Sequence, residues 1–185
     1  MELNHLTASR LVSRRIVIAY WLIPAEPAHS FFRGVIDELA HRYSAPVFEP
    51  HLTIHVGPNP KDAVEKAFSK VACGCEQIAL DALDVSHSAE FIKTLFVQFA
   101  PNTKLRRLHQ SIRNAASDSS AYQLKPHLSL IYKKMSAQRR RMLARSIKVP
   151  FSEVIFDSIK AVRCVSPTQN RVDVETWRVV AATKL

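Results

Sequence analysis

Glycine is nearly missing from this chain, with 3 in 185 residues. Loops that wrap phosphates in bare backbone need glycines close together. Neither G-x-G-x-x-G nor G-x-x-x-x-G-K-S/T occurs, which argues against the common nucleotide-cradling loops. Cysteine is scarce too. Cys73, Cys75 and Cys164 form an odd set with no C-x-x-C pair, so neither a disulfide framework nor a zinc quartet is expected. Reduced thiols and a cytoplasmic setting follow. The longest apolar run, Ile16 to Ile23, is too short to cross a bilayer, so no membrane partner is expected. Acidic residues are in deficit: 16 Asp and Glu face 26 Lys and Arg, for a formal net charge of +10. That balance favours an anionic partner such as a nucleotide or RNA.

Hydrophobic residues make up 47% of the chain, enough for one full core. Residues 1–13 lack the apolar stretch of a secretory signal and read as a disordered tail. Residues 14–185 read as a single domain, expected to be monomeric. Arg15 to Ile23 predicts a strand. Ala28 to Tyr43 has helical spacing at Phe31, Phe32, Val35, Ile36 and Leu39. Strands are predicted at Phe48–Val56, Ile78–Val85, Thr94–Phe99 and His127–Tyr132. Helices are predicted at Asp62–Ala72, Leu105–Ala116 and Ser136–Ile147, the last with Ser136 as a cap. Val154–Val165 and Val172–Ala182 read as closing strands. The order strand–helix–strand–helix–strand thus appears twice, which suggests a divergent duplication. The fold class is α+β: two antiparallel or mixed sheets with helices outside and a cleft between.

Two short stretches carry the chemistry. Pro50-His51-Leu52-Thr53-Ile54 and Pro126-His127-Leu128-Ser129-Leu130 are nearly the same, with the histidines 76 positions apart. On a strand, residues i and i+2 share a face. Each stretch therefore offers an imidazole beside a hydroxyl. H-x-T/S also occurs at His5 and His109, but His5 lies in the tail. His109 sits in a helical stretch, where i and i+2 diverge. Only the copies at 51 and 127 follow a proline within an alternating apolar pattern.

This paired motif resembles that of the 2H phosphoesterase superfamily. The nearest resemblance is to its plant-type cyclic phosphodiesterases, which open 2′,3′-cyclic nucleotides and ADP-ribose 1″,2″-cyclic phosphate. Trp21-Leu22-Ile23-Pro24, both histidine strands, Tyr132 and Glu175-Thr176-Trp177 carry the likeness over residues 16–185. The resemblance implies a bilobal α+β fold of two pseudo-twofold-related lobes, with β-sheets lining a central cleft, helices outside and a metal-independent site between the lobes. His51 and His127 match its catalytic histidines. Thr53 and Ser129 match its phosphate-binding hydroxyls, and Trp21 and Tyr132 match aromatics that line the cleft. This chain departs from the pattern in lacking an obvious disulfide set. It also carries His55 where the family has a small or apolar residue.

Cyclic phosphodiester hydrolysis takes a proton from water and gives one to the leaving sugar oxygen. Imidazole suits both tasks near neutral pH. Negative charge gathers on the non-bridging oxygens, which hydroxyl donors stabilise. Tyr132 lies five positions after His127, so an unbroken strand would turn it away, and only a twist or bulge would bring it into the cleft. His55 shares a strand face with His51 and Thr53, and is placed at the cleft rim as a substrate contact. A three-histidine metal site is not expected, since no carboxylate has matching spacing, and no cofactor is implied. The partner expected is a small cyclic phosphate nucleotide. Two alternatives are an RNA 3′-end enzyme of the 2′–5′ RNA ligase type and a non-catalytic basic RNA-binding module. Lys104, Arg106, Arg107 and Arg113, and Lys133 to Arg145, would favour RNA ends if they rimmed the cleft.

Overall fold

The computed structural model describes residues 14–58, 62–72, 76–118 and 122–185. The tail at 1–13, with His5, and the pair Cys73 and Cys75 lie outside the described residues. Within the described residues seven strands and five helices follow one another as β1 (Arg15–Pro24), α1 (Ala28–Tyr43), β2 (Leu52–Gly57), α2 (Ala63–Ala72), β3 (Ile78–His87), β4 (Leu95–Phe99), α3 (Thr103–Ala115), β5 (His127–Ile131), α4 (Ala137–Ser146), β6 (Glu153–Ser166), α5 (Arg171–Glu175) and β7 (Arg178–Lys184).

The unit β1-α1-β2-α2-β3 recurs as β4-α3-β5-α4-β6. The pairings obey the same twofold. β1 pairs with β2, as β4 does with β5, and β1 pairs with β6, as β4 does with β3. The two remaining contacts, β2 with β5 and β3 with β6, join equivalent strands across the axis. Exchanging the halves leaves the set unchanged. All of these pairs are antiparallel. Among the described residues α5 and β7 have no counterpart, and β7 lies along β6.

The two sheets expected from the sequence are one hydrogen-bonded sheet of seven strands, ordered β1-β2-β5-β4-β3-β6-β7, with β1 also on β6. The seam between the halves at β2 and β5 is a single register pair, Leu52 opposite Leu128. One face of the sheet carries the main core. There Ile18, Tyr20, Leu22, Leu52 and Leu128 pack with Phe32 and Leu39 of α1, Leu105 and Leu108 of α3, and Leu143 of α4. The opposite face carries a smaller cluster of Ala19, Trp21, Ile23 and Val162. β1 is covered on both faces, so Ile18 to Ile23 are buried without a break. That explains an apolar run where alternation would mark a half-exposed strand.

The segment Val172–Ala182, expected as a strand, divides. Residues 171–175 form a helical turn because the Asn170 side chain accepts from the Asp173 amide at 3.1 Å. Buried Asp173 in turn accepts from the Gln169 amide at 2.8 Å. These local side-chain bonds outcompete extended pairing, and the strand begins only at Arg178.

Candidate active site

The seam is where the two motifs meet. Extending the Leu52–Leu128 register by one residue each way sets His51 opposite Ser129 and Thr53 opposite His127. All four project from the face away from the main core. They line one cleft of about 270 Å³, and each imidazole has the other motif's hydroxyl across from it.

Two matching bulges shape the rest of the cleft. Between β1 and β2, Trp21 pairs with Thr53 but Tyr20 pairs with His55, leaving Ile54 as the extra residue. Between β4 and β5, Phe96 pairs with Ser129 but Leu95 pairs with Ile131, leaving Leu130 as the extra residue. A bulge shifts the alternation of faces by one. After Leu130 the cleft face is therefore taken up by Tyr132, which lines the pocket with its hydroxyl 3.5 Å from Nε2 of His51. After Ile54 the cleft face passes to Val56.

His55 corrects the sequence expectation by the same cause. The bulge turns it away from His51 and Thr53, so it is fully buried and absent from the cleft wall. Its Nε2 lies 3.1 Å from Oδ2 of Asp118. His109 sits beside it, 5.4 Å between ring centroids, with Nδ1 2.8 Å from the Ile54 carbonyl. His55 is therefore not gathered with His51 and His127 into one set.

Each cleft histidine is oriented by the backbone two residues earlier. Nδ1 of His51 is 2.6 Å from the Glu49 carbonyl, and Nδ1 of His127 is 2.7 Å from the Lys125 carbonyl. A carbonyl only accepts, so each Nδ1 carries the hydrogen, which leaves Nε2 as the working nitrogen on both rings. The sequence signal was the proline before each histidine. It holds residue i−1 extended and thereby aims that carbonyl at the ring.

The two sites differ in what surrounds the ring. His51 is stacked on Trp21, with centroids 3.7 Å apart and planes 13° apart. Trp177 and Phe48 meet it edge-on at 5.9 and 6.0 Å. Burial holds its pKa down at about 4, against a raising bond to the Glu49 carbonyl, and the charge of His127 lowers it further. Among the rings of the described residues His127 meets Phe96, edge-on at 5.5 Å, and Phe96 occupies the position equivalent to Trp21. Its pKa is also lowered, chiefly by burial and also by Lys93, against raising contributions from the Lys125 carbonyl and Glu90. Trp21 is thus in the cleft, but one of its faces is already taken by His51. Burial raises the pKa of Tyr132, which stacks on Phe48 at 3.9 Å, so its phenol stays protonated.

Ser129 is buried, and its hydroxyl donates to the Ile92 carbonyl at 2.7 Å. Sequence reasoning missed Phe48, Phe96, Lys93 and Lys125, which no periodicity marks. Among the described residues Lys93 and Lys125 are the cations that line the cleft, and the larger basic clusters lie elsewhere.

Paired H-x-T and H-x-S strands that face each other across a twofold on this α+β sheet define a 2H phosphoesterase. The chain belongs to the cyclic phosphodiesterase-like protein family, which matches residues 16–185. A curated relative, the cyclic phosphodiesterase of Arabidopsis thaliana, is 22% identical over 176 residues, covering 93% of this chain and 97% of that protein. E. coli LigT in apo form superposes with a TM-score of 0.60 at 14% identity, covering 94% of this chain and 99% of LigT. TT0787 of Thermus thermophilus gives a TM-score of 0.60 at 15% identity, covering 91% of this chain and 97% of its own. At those identities the two solved structures speak to the fold. Among the described residues no helix is long and apolar enough to cross a membrane.

Proposed function

We propose that the cleft hydrolyses small cyclic phosphodiesters, 2′,3′-cyclic nucleotides or ADP-ribose 1″,2″-cyclic phosphate, to phosphomonoesters, with His51 and His127 as the acid–base pair. One observation carries this reading: both imidazoles tether Nδ1 to a backbone carbonyl and line the same cleft, each opposite a hydroxyl.

The chemistry follows from the residues. One ring takes a proton from water, and the other gives a proton to the sugar oxygen as the P–O bond breaks. Such positioned groups contribute about 10²–10⁴-fold each. Thr53 and Ser129 donate to the phosphoryl oxygens from opposite sides, where charge builds up. For Ser129 this moves its hydrogen from the Ile92 carbonyl to the substrate. The Tyr132 hydroxyl donates from the cleft end beside His51. None of these roles calls on a metal. Both imidazoles have depressed pKa values, so the free protein at neutral pH holds them largely uncharged. The anionic phosphate brings back the proton that the acid needs.

Small substrates fit better than RNA ends, because Lys93 and Lys125 are the cations in the wall and the clusters around α3 and α4 stand outside it. Intact histidines and hydroxyls in both strands speak against a merely binding module. The test is incubation with 2′,3′-cyclic AMP and with ADP-ribose 1″,2″-cyclic phosphate in excess EDTA, with products read by ³¹P NMR. Monoester formation that persists in EDTA is expected. No turnover of either compound, or turnover abolished by EDTA and restored by a divalent cation, overturns the proposal.

A further inference from the structure

The twofold leaves one position unfilled. On β6, residues beyond Phe156 pair with β1, and Ser158 to Arg163 also pair with β7. On β3, the equivalent strand, Ile78 to Asp81 pair with β6, but from Ala82 onward the only partner strand among the described residues is β4. Where a counterpart of β7 would lie there is a groove of about 990 Å³. All six residues from Ala82 to His87 line it. A bulge at Leu83–Asp84, where Ala82 pairs with Phe99 but Val85 with Val97, breaks the alternation there. Beyond it Val85, Ser86 and His87 still line the groove without alternating, which marks an open strand edge. Leu83 on this edge is 49% exposed.

The facing wall is cationic. Arg141 and Arg145 of α4, with Lys148 just beyond it, line the groove against a single carboxylate, Asp84. Some helical cations elsewhere are offset locally, Arg33 with Asp37, Lys66 with Asp62 and Arg171 with Glu175, and Lys104 of α3 meets Glu76. α4 has four arginines and no acid in ten residues. Among the described residues no ion pair engages Arg141, Arg145 or Lys148, and all three are exposed. Like charges gathered without counter-charge repel, and an anionic partner relieves that repulsion.

We infer that this groove binds an acidic peptide segment in extended form, added as an eighth strand along Leu83–His87, with its carboxylates against Arg141, Arg145 and Lys148. The backbone edge supplies the hydrogen-bond ladder, and the cations select the sequence. β7 shows that the fold accepts a strand in the equivalent place. A nucleic acid would use the cations but not the edge. A second copy of this chain, with its net charge of +10, is disfavoured by repulsion. The groove shares no lining residue with the catalytic cleft, so this inference stands apart from the proposed hydrolysis.

The test uses the full chain and a fluorescein-labelled decapeptide alternating Glu and Val, with fluorescence anisotropy at low salt. Saturable binding is expected, weakening as salt rises. The triple variant Arg141→Glu, Arg145→Glu, Lys148→Glu should bind at least about tenfold more weakly while hydrolysing cyclic nucleotide at the wild-type rate. His87→Pro should also weaken binding by removing an outward N–H, since Ser88 donates inward to the Thr94 carbonyl and its neighbour faces the other way. Amide exchange at 83–87 should slow on adding peptide. No binding of the peptide overturns the inference. So does equal binding by the triple variant, equal binding of an alternating Lys and Val peptide, or tighter binding of an RNA oligonucleotide that leaves exchange at 83–87 unchanged.

Discussion

The pH dependence of kcat/KM follows from the two depressed imidazoles. The competent free site holds one proton on the pair, since an acid and a base are both required. The rings interact, because the charge of His127 lowers the pKa of His51, so the limbs of the profile belong to the pair. His51 stands at about 4, and His127 lies below its ordinary 6.5. With the upper apparent value below 6.5, less than about a quarter of the protein carries the needed proton at pH 7. Falling pH supplies it, so kcat/KM should rise about tenfold from pH 8 to 7. It should rise about two- to threefold more from pH 7 to 6.5. The maximum should lie between about pH 4 and 6.5, and the rate should fall below it as both rings become charged. The phosphodiester substrate does not titrate in this range, so both limbs report the protein. The assay is initial rate at substrate well below KM, with circular dichroism confirming a folded protein at each pH. A maximum at or above pH 7, or a flat profile from 5 to 8, would refute the reasoning.

Other perturbations have defined outcomes. His51→Ala and His127→Ala should each lower kcat by about 10²–10⁴-fold with an unchanged melting curve; near-wild-type turnover in either removes that ring from the reaction. Trp21→Phe puts at the first site the residue that the second already has. It should shift the acidic limb up by about one pH unit as the desolvating contact shrinks, and an unmoved limb would leave Trp21 a packing residue only. Gly57→Ala should destabilise the fold by about 1–3 kcal/mol in denaturant titration. Its added Cβ would stand 2.9 Å from Nε2 of His55 and 3.4 Å from Oδ2 of Asp118.

The repeated strand–helix order and the paired motif were legible in the sequence because each rests on local pattern: period two, period 3.6, and proline and glycine stops. The bulges were not. Ile54 and Leu130 are ordinary strand residues, and no glycine marks either site. The insertion of one residue is decided by how β1 and β4 must twist to bring the seam together. That one hidden feature explains both Tyr132, which an unbroken strand would turn away, and His55, which it would keep in the cleft. The stacking of Trp21 on His51 is likewise a product of register, since the two are 30 positions apart and meet through the pairing of β1 with β2. The closure of two expected sheets into one comes from the pairing of β3 with β6 and from the single pair Leu52 with Leu128 at the cleft, which no local pattern encodes.

The central claim is that one phosphate touches both rings. Imidazole ¹⁵N signals of His51 and His127, assigned with the single alanine variants, can be followed as 2′-AMP is added. Both should move together, with one stoichiometric site and one dissociation constant. Movement of one ring alone, or two distinct constants, would show that the histidines do not serve the same phosphate.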